Sequence, residues 1–578
     1  MTTVTPEVAA LYDTMARSAH IAYISACRER FAAPFFPLSS DEIEQLQRAG
    51  NSAEDWARVR KTRADACVSA TRVRDCQFQG FVVLGQFDES HTVDGIALPS
   101  GCYRSALRNA IILDNALVQN TTALCNVVVD EHASVLSCGS VNTTALCNVV
   151  VDEHASVLSC GSVVGDEETN AANGMTLHVG VEIGGRNLDV FAELSFDVAK
   201  LVAGQRSETK LLEDYATFVQ RYTQAARTPF SVIGRHARAW HCSRLAQVFI
   251  GEFAVVEDAE LRDVTLLSSE DEPSVVRSKS IVHHAIVQWN VTVESLSVVE
   301  RAFLCDASHG EVTSSFVGPF VGFHHQALLI ASFWPEGKGN VGYGANVGSN
   351  HTLKAPDQEL FPGEGVFFGL GCCVKFPSNF TKAPYSVIAT GVATLPQSVE
   401  MPFALINTPG HNIPTLSPAI NEISPGWVLA HSVFTVLRNE AKFATRNRSR
   451  RTEVEAALFR PDVVQCMKDA RQQLKDAEGK SQLQLANGEA IFTDKQVRGL
   501  GKNYMRETAR REAVEAYTSF IQLTVLAPYH VALMLCSLEA LLQVFTMRFF
   551  LLLRHLQGFD FSLEFFDFAL PTYHVILF

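Results

Sequence analysis

Val341-Gly-Tyr-Gly-Ala-Asn is followed without a break by Val347-Gly-Ser-Asn-His-Thr, two six-residue units that open on the same aliphatic residue and continue with glycine. Six is neither the 3.6-residue period of a helix nor the two-residue period of an ordinary strand. The same spacing separates Ile112, Val118 and Leu124, then Val129, Val135 and Val141, then Ile281, Val287, Val293 and Val299. Four places after several of these stands a small residue, as at Ala116, Thr122, Ala133 and Ala285. A coil of about eighteen residues with three flat sides explains the pattern: one aliphatic per side fills the interior, and only a small side chain fits near each corner. The expected fold is mainly β, a left-handed parallel β-helix solenoid with α-helical N-terminal, inserted and C-terminal segments.

Working outward, residues 1–75 read as a helical collar. Ser39 or Ser40 can cap the segment Asp41-Glu-Ile-Glu-Gln-Leu, whose acidic first turn complements the helix dipole. The β-helix is expected over 76–400, interrupted at about 187–244, where Leu211, Leu212, Tyr215, Phe218, Val219 and Tyr222 follow a helical face. Residues 401–527 read as a helical C-terminal region and 528–578 as a divergent apolar tail. Within that tail, Val531 to Leu553 is long and apolar, but Glu539, Gln543 and Arg548 are costly at a bilayer centre, so it reads as a packed helix or a tail rather than a span. Residues 120–141 recur unchanged as 142–163. An offset of twenty-two exceeds one coil, so the extra residues must bulge or shift the register. The copy is read as a recent duplication or a sequence artefact rather than a functional device.

A net charge of −14 leaves no basic stripe to displace counterions from a phosphate backbone, which excludes nucleic-acid binding; the cluster Arg446 to Arg451 is short and reads as a solvated helix face. The first residues lack a basic stretch followed by an apolar core, so a cytoplasmic location with reduced thiols is expected. Cys125, Cys138, Cys147 and Cys160 are two residues copied by the repeat, and none falls in a CxxC pair. Neither a zinc ribbon nor a redox motif is supported.

The segment Val321-Gly-Phe-His-His-Gln-Ala-Leu-Leu-Ile-Ala-Ser, with Gly339-Asn-Val-Gly-Tyr-Gly-Ala-Asn-Val-Gly-Ser-Asn-His-Thr, resembles a family of unknown function within the trimeric LpxA-like, hexapeptide-repeat superfamily. Ala355-Pro-Asp-Gln-Glu, Phe361-Pro-Gly-Glu-Gly, Glu182-Ile-Gly-Gly-Arg and Leu437-Arg-Asn-Glu-Ala-Lys look like the same family, so the resemblance covers most of residues 40–527. It implies a left-handed β-helix, a homotrimer, and acyltransferase or nucleotide-sugar chemistry.

Counting hexads from Val321 and Val347 puts His325 and His351 four places on, where a small inward residue is expected. Looping out Phe333 to Asn340 would stack them in adjacent coils. As catalytic candidates, His325 or His351 would act as general base, taking a proton from a sugar hydroxyl or amine as it attacks the thioester of an acyl-CoA co-substrate. His324 would lie beside them. Gln326, Asn350, Lys354, Asp357 and Glu359 would bind a sugar or nucleotide sugar. Arg186, after two glycines, would fork onto an anion. The loop Phe333-Trp-Pro-Glu-Gly-Lys-Gly-Asn would form a lid. No permanently bound cofactor and no metal is assigned. The alternatives are a non-catalytic β-helix scaffold or regulatory/binding protein, whose histidines are structural and whose helical caps and inserts bind another protein or regulate a nucleotidyltransferase, and a metal-dependent enzyme resembling the superfamily's carbonic-anhydrase branch. His283 and His284 are read as surface residues.

Overall fold

The computed structural model describes residues 4–524 apart from 30–33, 94, 138–144, 180–185, 305–306, 309, 349–359, 376 and 452–453. Contacts divide the chain into residues 1–516 and residues 517–578; of the second part only 517–524 are described, and they are helical.

The repeating unit is clearest at Ala123–Val129. Ala123, Leu124 and Cys125 pair in parallel with Ala145, Leu146 and Cys147, and Val127, Val128 and Val129 with Val149, Val150 and Val151. Asn126 between them has a φ of 55°, so the strand turns a corner on one left-handed residue. After a second turn, in which His132 has a φ of 56°, Ser134–Leu136 forms another side and pairs in parallel with Ser156–Leu158. Successive coils sit 17 residues apart at Asn109 and Asn126, at Arg277 and Glu294, and at Ser315 and Ser332. The molecule is therefore mainly β, a stack of parallel coils. The duplication is absorbed as one coil with a step of 22, Asn126 to Asn148, and its described strands pair residue for residue.

Inward side chains form a continuous dry column. Leu107, Leu124, Leu146, Val163, Leu245, Leu261 and Val282 are at most 1% exposed, each contributing about 1.5–3 kcal/mol by leaving water. Ile281, expected inside, is 37% exposed and Val282 takes the inward place. Outward residues on one side are also covered: Val83, Ile111, Val128, Val150, Val232 and Phe249 pack into the apolar cluster of the N-terminal and inserted helices. That second layer explains the unbroken run Val127-Val128-Val129, since a strand buried on both faces has no polar alternation.

The covering helices are Pro6–Met15 and Ala19–Glu29 at the N-terminus and Phe196–Gly204 and Thr209–Ala226 in the insert. Leu211, Tyr215, Phe218, Val219 and Tyr222 line the buried face of the last. The next N-terminal helix, Ser40–Arg48, carries a full capping box on Ser39 and Glu42. Parallel strands begin before residue 76, where Ser52–Ala53 and Val59–Lys61 pair with Gln77–Leu84, and continue past residue 400 to Leu405–Asn407. There an antiparallel strand, Asn421–Ser424, closes the stack and strands Ala490–Thr493 and Asn503–Arg506 extend the closure, so the C-terminal region is not purely helical.

The helix Pro461–Asp476 follows a buried ionic cluster. Glu364 accepts from Lys338 Nζ at 2.7 Å, from Tyr385 Oη at 2.6 Å and from Arg460 Nη1 at 2.9 Å. Lys338 thereby anchors the segment read as a lid. Trp334 is fully buried and its Nε1 donates to the Gly363 carbonyl at 3.0 Å, so Phe333 to Asn340 is a fixed part of the wall.

Candidate functional site

His324, His325 and Gln326 all lie exposed at one corner of the solenoid. Phe323 pairs with Val341, and Leu328 with Asn346, so His325 stands in register with Tyr343 and Ala327 with Ala345. Ala327 and Ala345 are buried and fill the small inward place that the hexad count had given to His325. The expectation of an inward His325 is thus corrected: the strand is Val321–Phe323, and counting from its first residue instead of Phe323 displaces the phase by two. His324 Nε2 lies 3.2 Å from Asn340 Oδ1. Asn350, His351, Lys354, Asp357 and Glu359 lie outside the described residues, as does Glu182 to Gly185. The Arg186 guanidinium sits over the Phe361 ring at 5.3 Å. His283 Nε2 and His284 Nδ1 meet Glu260 and Asp263 at 3.3 and 2.9 Å.

A different group of histidines is brought together by the coils. Asp130-Glu-His-Ala, Asp152-Glu-His-Ala, Gly234-Arg-His-Ala and Gly251-Glu-Phe-Ala occupy the same turn in four successive layers. In each, the alanine points inward and is at most 1% exposed, and the residue before it is left-handed, with φ between 56° and 58°. The side chains at this position stack along the corner. His132 and His154 have ring centroids 4.9 Å apart, His154 and His236 4.8 Å, and His236 and Phe253 4.6 Å, with interplanar angles of 13°, 4° and 25°.

The hairpin Ser90–Val93 and Ile96–Pro99 stands over this corner and encloses a cleft of about 280 Å³. Its lining includes His91, His132, His154, Ser156, Arg238 and Trp240. His91 Nε2 lies 2.7 Å from the Asn115 carbonyl. A carbonyl only accepts, so Nε2 carries the proton and Nδ1 is the acceptor of the neutral ring. Trp240 Nε1 donates to Ser156 Oγ at 2.9 Å, and the Arg238 guanidinium lies 5.5 Å from the Trp240 ring centroid. Carboxylates stand at the rim: Glu89 is 3.3 Å from His132 Nδ1 and Glu153 is 3.5 Å from His154 Nε2.

Burial lowers the pKa of His91, helped by His132 and opposed by the Asn115 bond and Glu89. His154 is lowered as well, first by burial and further by His132, His236 and His91, against the pull of Glu153. Both are therefore held neutral near pH 7, the form that accepts a proton. Rings stacked face to face direct their nitrogens sideways rather than to a common point. Among the described residues no group of three or more His, Cys, Asp or Glu side chains could hold a metal ion.

Residues 35–478 match the family described as a domain of unknown function (DUF4954). The chain belongs to this family. An uncharacterized protein of Treponema pallidum (strain Nichols) is 23% identical over 454 residues, 74% of this chain; the chain spans 59% of that relative's length. A solved structure from Desulfovibrio desulfuricans G20, assigned only provisionally as an acetyltransferase, aligns over 64% of this chain and 72% of its own at 11% identity and a TM-score of 0.13. A likeness at that TM-score bears on neither the fold nor the chemistry of this DUF4954 chain. No helix among the described residues is long and apolar enough to cross a membrane.

Sequence reasoning missed His91, His132, His154, His236, Arg238 and Trp240. The signal was present: His-Ala at 132–133, 154–155 and 236–237 places each histidine directly before an inward alanine, which fixes it to one corner.

Proposed function

We propose that this DUF4954 chain is a left-handed β-helix transferase of the hexapeptide-repeat type, with the histidine cleft as its site. It would move an acyl group from acyl-CoA to a hydroxyl or amine of a sugar or nucleotide sugar. The observation that carries the reading is His91, neutral, fixed in one tautomer by Asn115, and lining a cleft with Arg238 and Trp240. In the proposed step His91 Nδ1 takes the proton of the acceptor as its oxygen or nitrogen attacks the thioester carbonyl. The C–S bond breaks, and the departing thiolate recovers that proton. Arg238 would meet a phosphate and Trp240 a sugar or base face. A cytoplasmic location supplies the acyl-CoA, and a homotrimer is the proposed assembly, read by light scattering as three times the 63.4 kDa chain.

The test incubates the purified full chain with acetyl-CoA and a panel of nucleotide sugars and follows thiol release. His91→Ala is expected to lose about 10²–10⁴-fold in kcat. His325→Ala and His351→Ala, run alongside, test the earlier assignment. Turnover unchanged in His91→Ala and His154→Ala removes the proposal.

One observation favours a second reading, a non-catalytic scaffold. The asparagine corner forms a ladder of the same kind, Asn109 to Asn126 at 3.1 Å and Asn126 to Asn148 at 2.9 Å, so corner stacking also has a purely structural use in this solenoid. Under that reading His154→Ala lowers stability and no nucleotide sugar binds.

A further inference from the structure

The duplicated coil places two thiols side by side. Cys125 and Cys147 are directly paired on adjacent parallel strands, each following an inward leucine, Leu124 or Leu146, and each half-buried on the outer surface. Neighbouring strands stand about 4.8 Å apart. That spacing lies inside the range of Cα separations, roughly 4.4–6.8 Å, that a disulfide spans. The two side chains are already within hydrogen-bonding reach of each other. On the preceding strand Arg108 occupies the same row, paired with Cys125, so a cation flanks the pair.

We propose that Cys125 and Cys147 are a redox-active dithiol that is oxidised by anionic low-molecular-weight disulfides of the glutathione disulfide type. One protein thiolate attacks the small disulfide, forming a mixed disulfide and releasing one glutathione thiolate. The second protein thiolate then attacks the protein sulfur of that mixed disulfide and releases the second glutathione. Two protein thiols lose two protons and two electrons, and the small disulfide takes up both electrons as two thiols. The product would lock the two copies of the repeat together. A disulfide between in-register neighbours is a short, constrained bridge, and constrained bridges are the readily reversible ones.

A second thiol pair supplies the internal contrast. Cys160 and Cys242 hydrogen-bond to each other across adjacent layers, but both are 0% exposed, so no oxidant of that size reaches them in the folded protein. Accessibility rather than adjacency separates the two pairs.

The experiment treats the reduced, folded full chain with glutathione disulfide. It is run at pH 8 because burial and the Cys125 neighbour push the Cys147 thiol up. Digestion after Glu131 under non-reducing conditions separates the two cysteines, and tandem mass spectrometry locates any link. The expected result is a Cys125–Cys147 bridge, lost completely in Cys125→Ser, where Cys147 keeps a glutathione adduct instead. Arg108→Ala should slow bridge formation, and Cys160 and Cys242 should stay reduced. Glutathione adducts on both cysteines of the wild type without a bridge, a bridge through another cysteine, or equal oxidation of Cys160 and Cys242 would each overturn the proposal.

Discussion

His154 and His236 lie ring on ring, 4.8 Å between centroids and 4° from parallel, although the whole inserted helical segment separates them in sequence. Two cations at that separation would repel, and partial burial together with the neighbouring imidazoles lowers the His154 pKa, so this place in the stack requires His154 to be neutral at pH 7. This requirement ties the architecture of the corner to the chemistry proposed for the cleft.

The first prediction concerns pH and rate. His91 and His154 are lowered from the ordinary histidine value, so the general base is unprotonated at neutral pH and gains its proton only on acidification. The rate should be flat near pH 7 and fall below pH 6.5, on an inflection that lies under 6.5. A pH profile of kcat/KM measures it, and an inflection above 6.5 would count against the assignment.

A second prediction concerns His20, buried at 4% exposure against Phe249 and Tyr222 with neither ring nitrogen hydrogen-bonded. Burial lowers its pKa from 6.5 to about 3. Because the folded value is the lower one, the unfolded chain takes up the proton first as pH drops. The stability of the native state is complete above pH 6.5 and declines as pH falls toward 3. Between pH 6.5 and 5 the loss from this group is about 2 kcal/mol. Denaturant unfolding at the two pH values should show it, and His20→Leu should flatten the dependence.

The third concerns Glu364, where burial alone would raise the pKa but the bonds from Arg460, Lys338 and Tyr385 outweigh it and lower the carboxyl. Glu364→Gln leaves the buried Lys338 ammonium and the Arg460 guanidinium without their counter-charge. About 3–5 kcal/mol of stability should disappear, read from urea unfolding. A change below 1 kcal/mol would show that the cluster is wet.

The asparagine corner gives the fourth. Asn126, with φ 55°, bonds its neighbours in both directions. Asn126→Gly keeps the backbone and loses only the side-chain bonds. Asn126→Val adds left-handed strain of roughly 1–2 kcal/mol, so thermal unfolding should rank wild type above glycine and glycine above valine.

Much of the parallel stack was legible because inward aliphatics six apart survive along the sides of a coil: Ile112, Val118 and Leu124, and in the next coil Val129 and Val135, are all fully buried. The count failed where its phase was taken from the wrong residue of a strand. Ile281 begins a strand on its outward side, and the phase taken from Val321 misplaced His325 by the same kind of slip. The site was harder to read. His132 and His154 are copies that the duplication obscures, and His236 joins them only after the insert folds aside, so no local spacing shows that the three rings meet. The arrival of His91 depends on where the hairpin lands, which is a tertiary fact.

The most direct measurement is a crystal of the full chain soaked with a nucleotide sugar and a non-hydrolysable acyl-CoA analogue. Ligand density between His91, Arg238 and Trp240, with the acceptor atom within about 3.2 Å of His91 Nδ1, is the predicted result. Density beside His324 and His325 with an empty histidine cleft would contradict it.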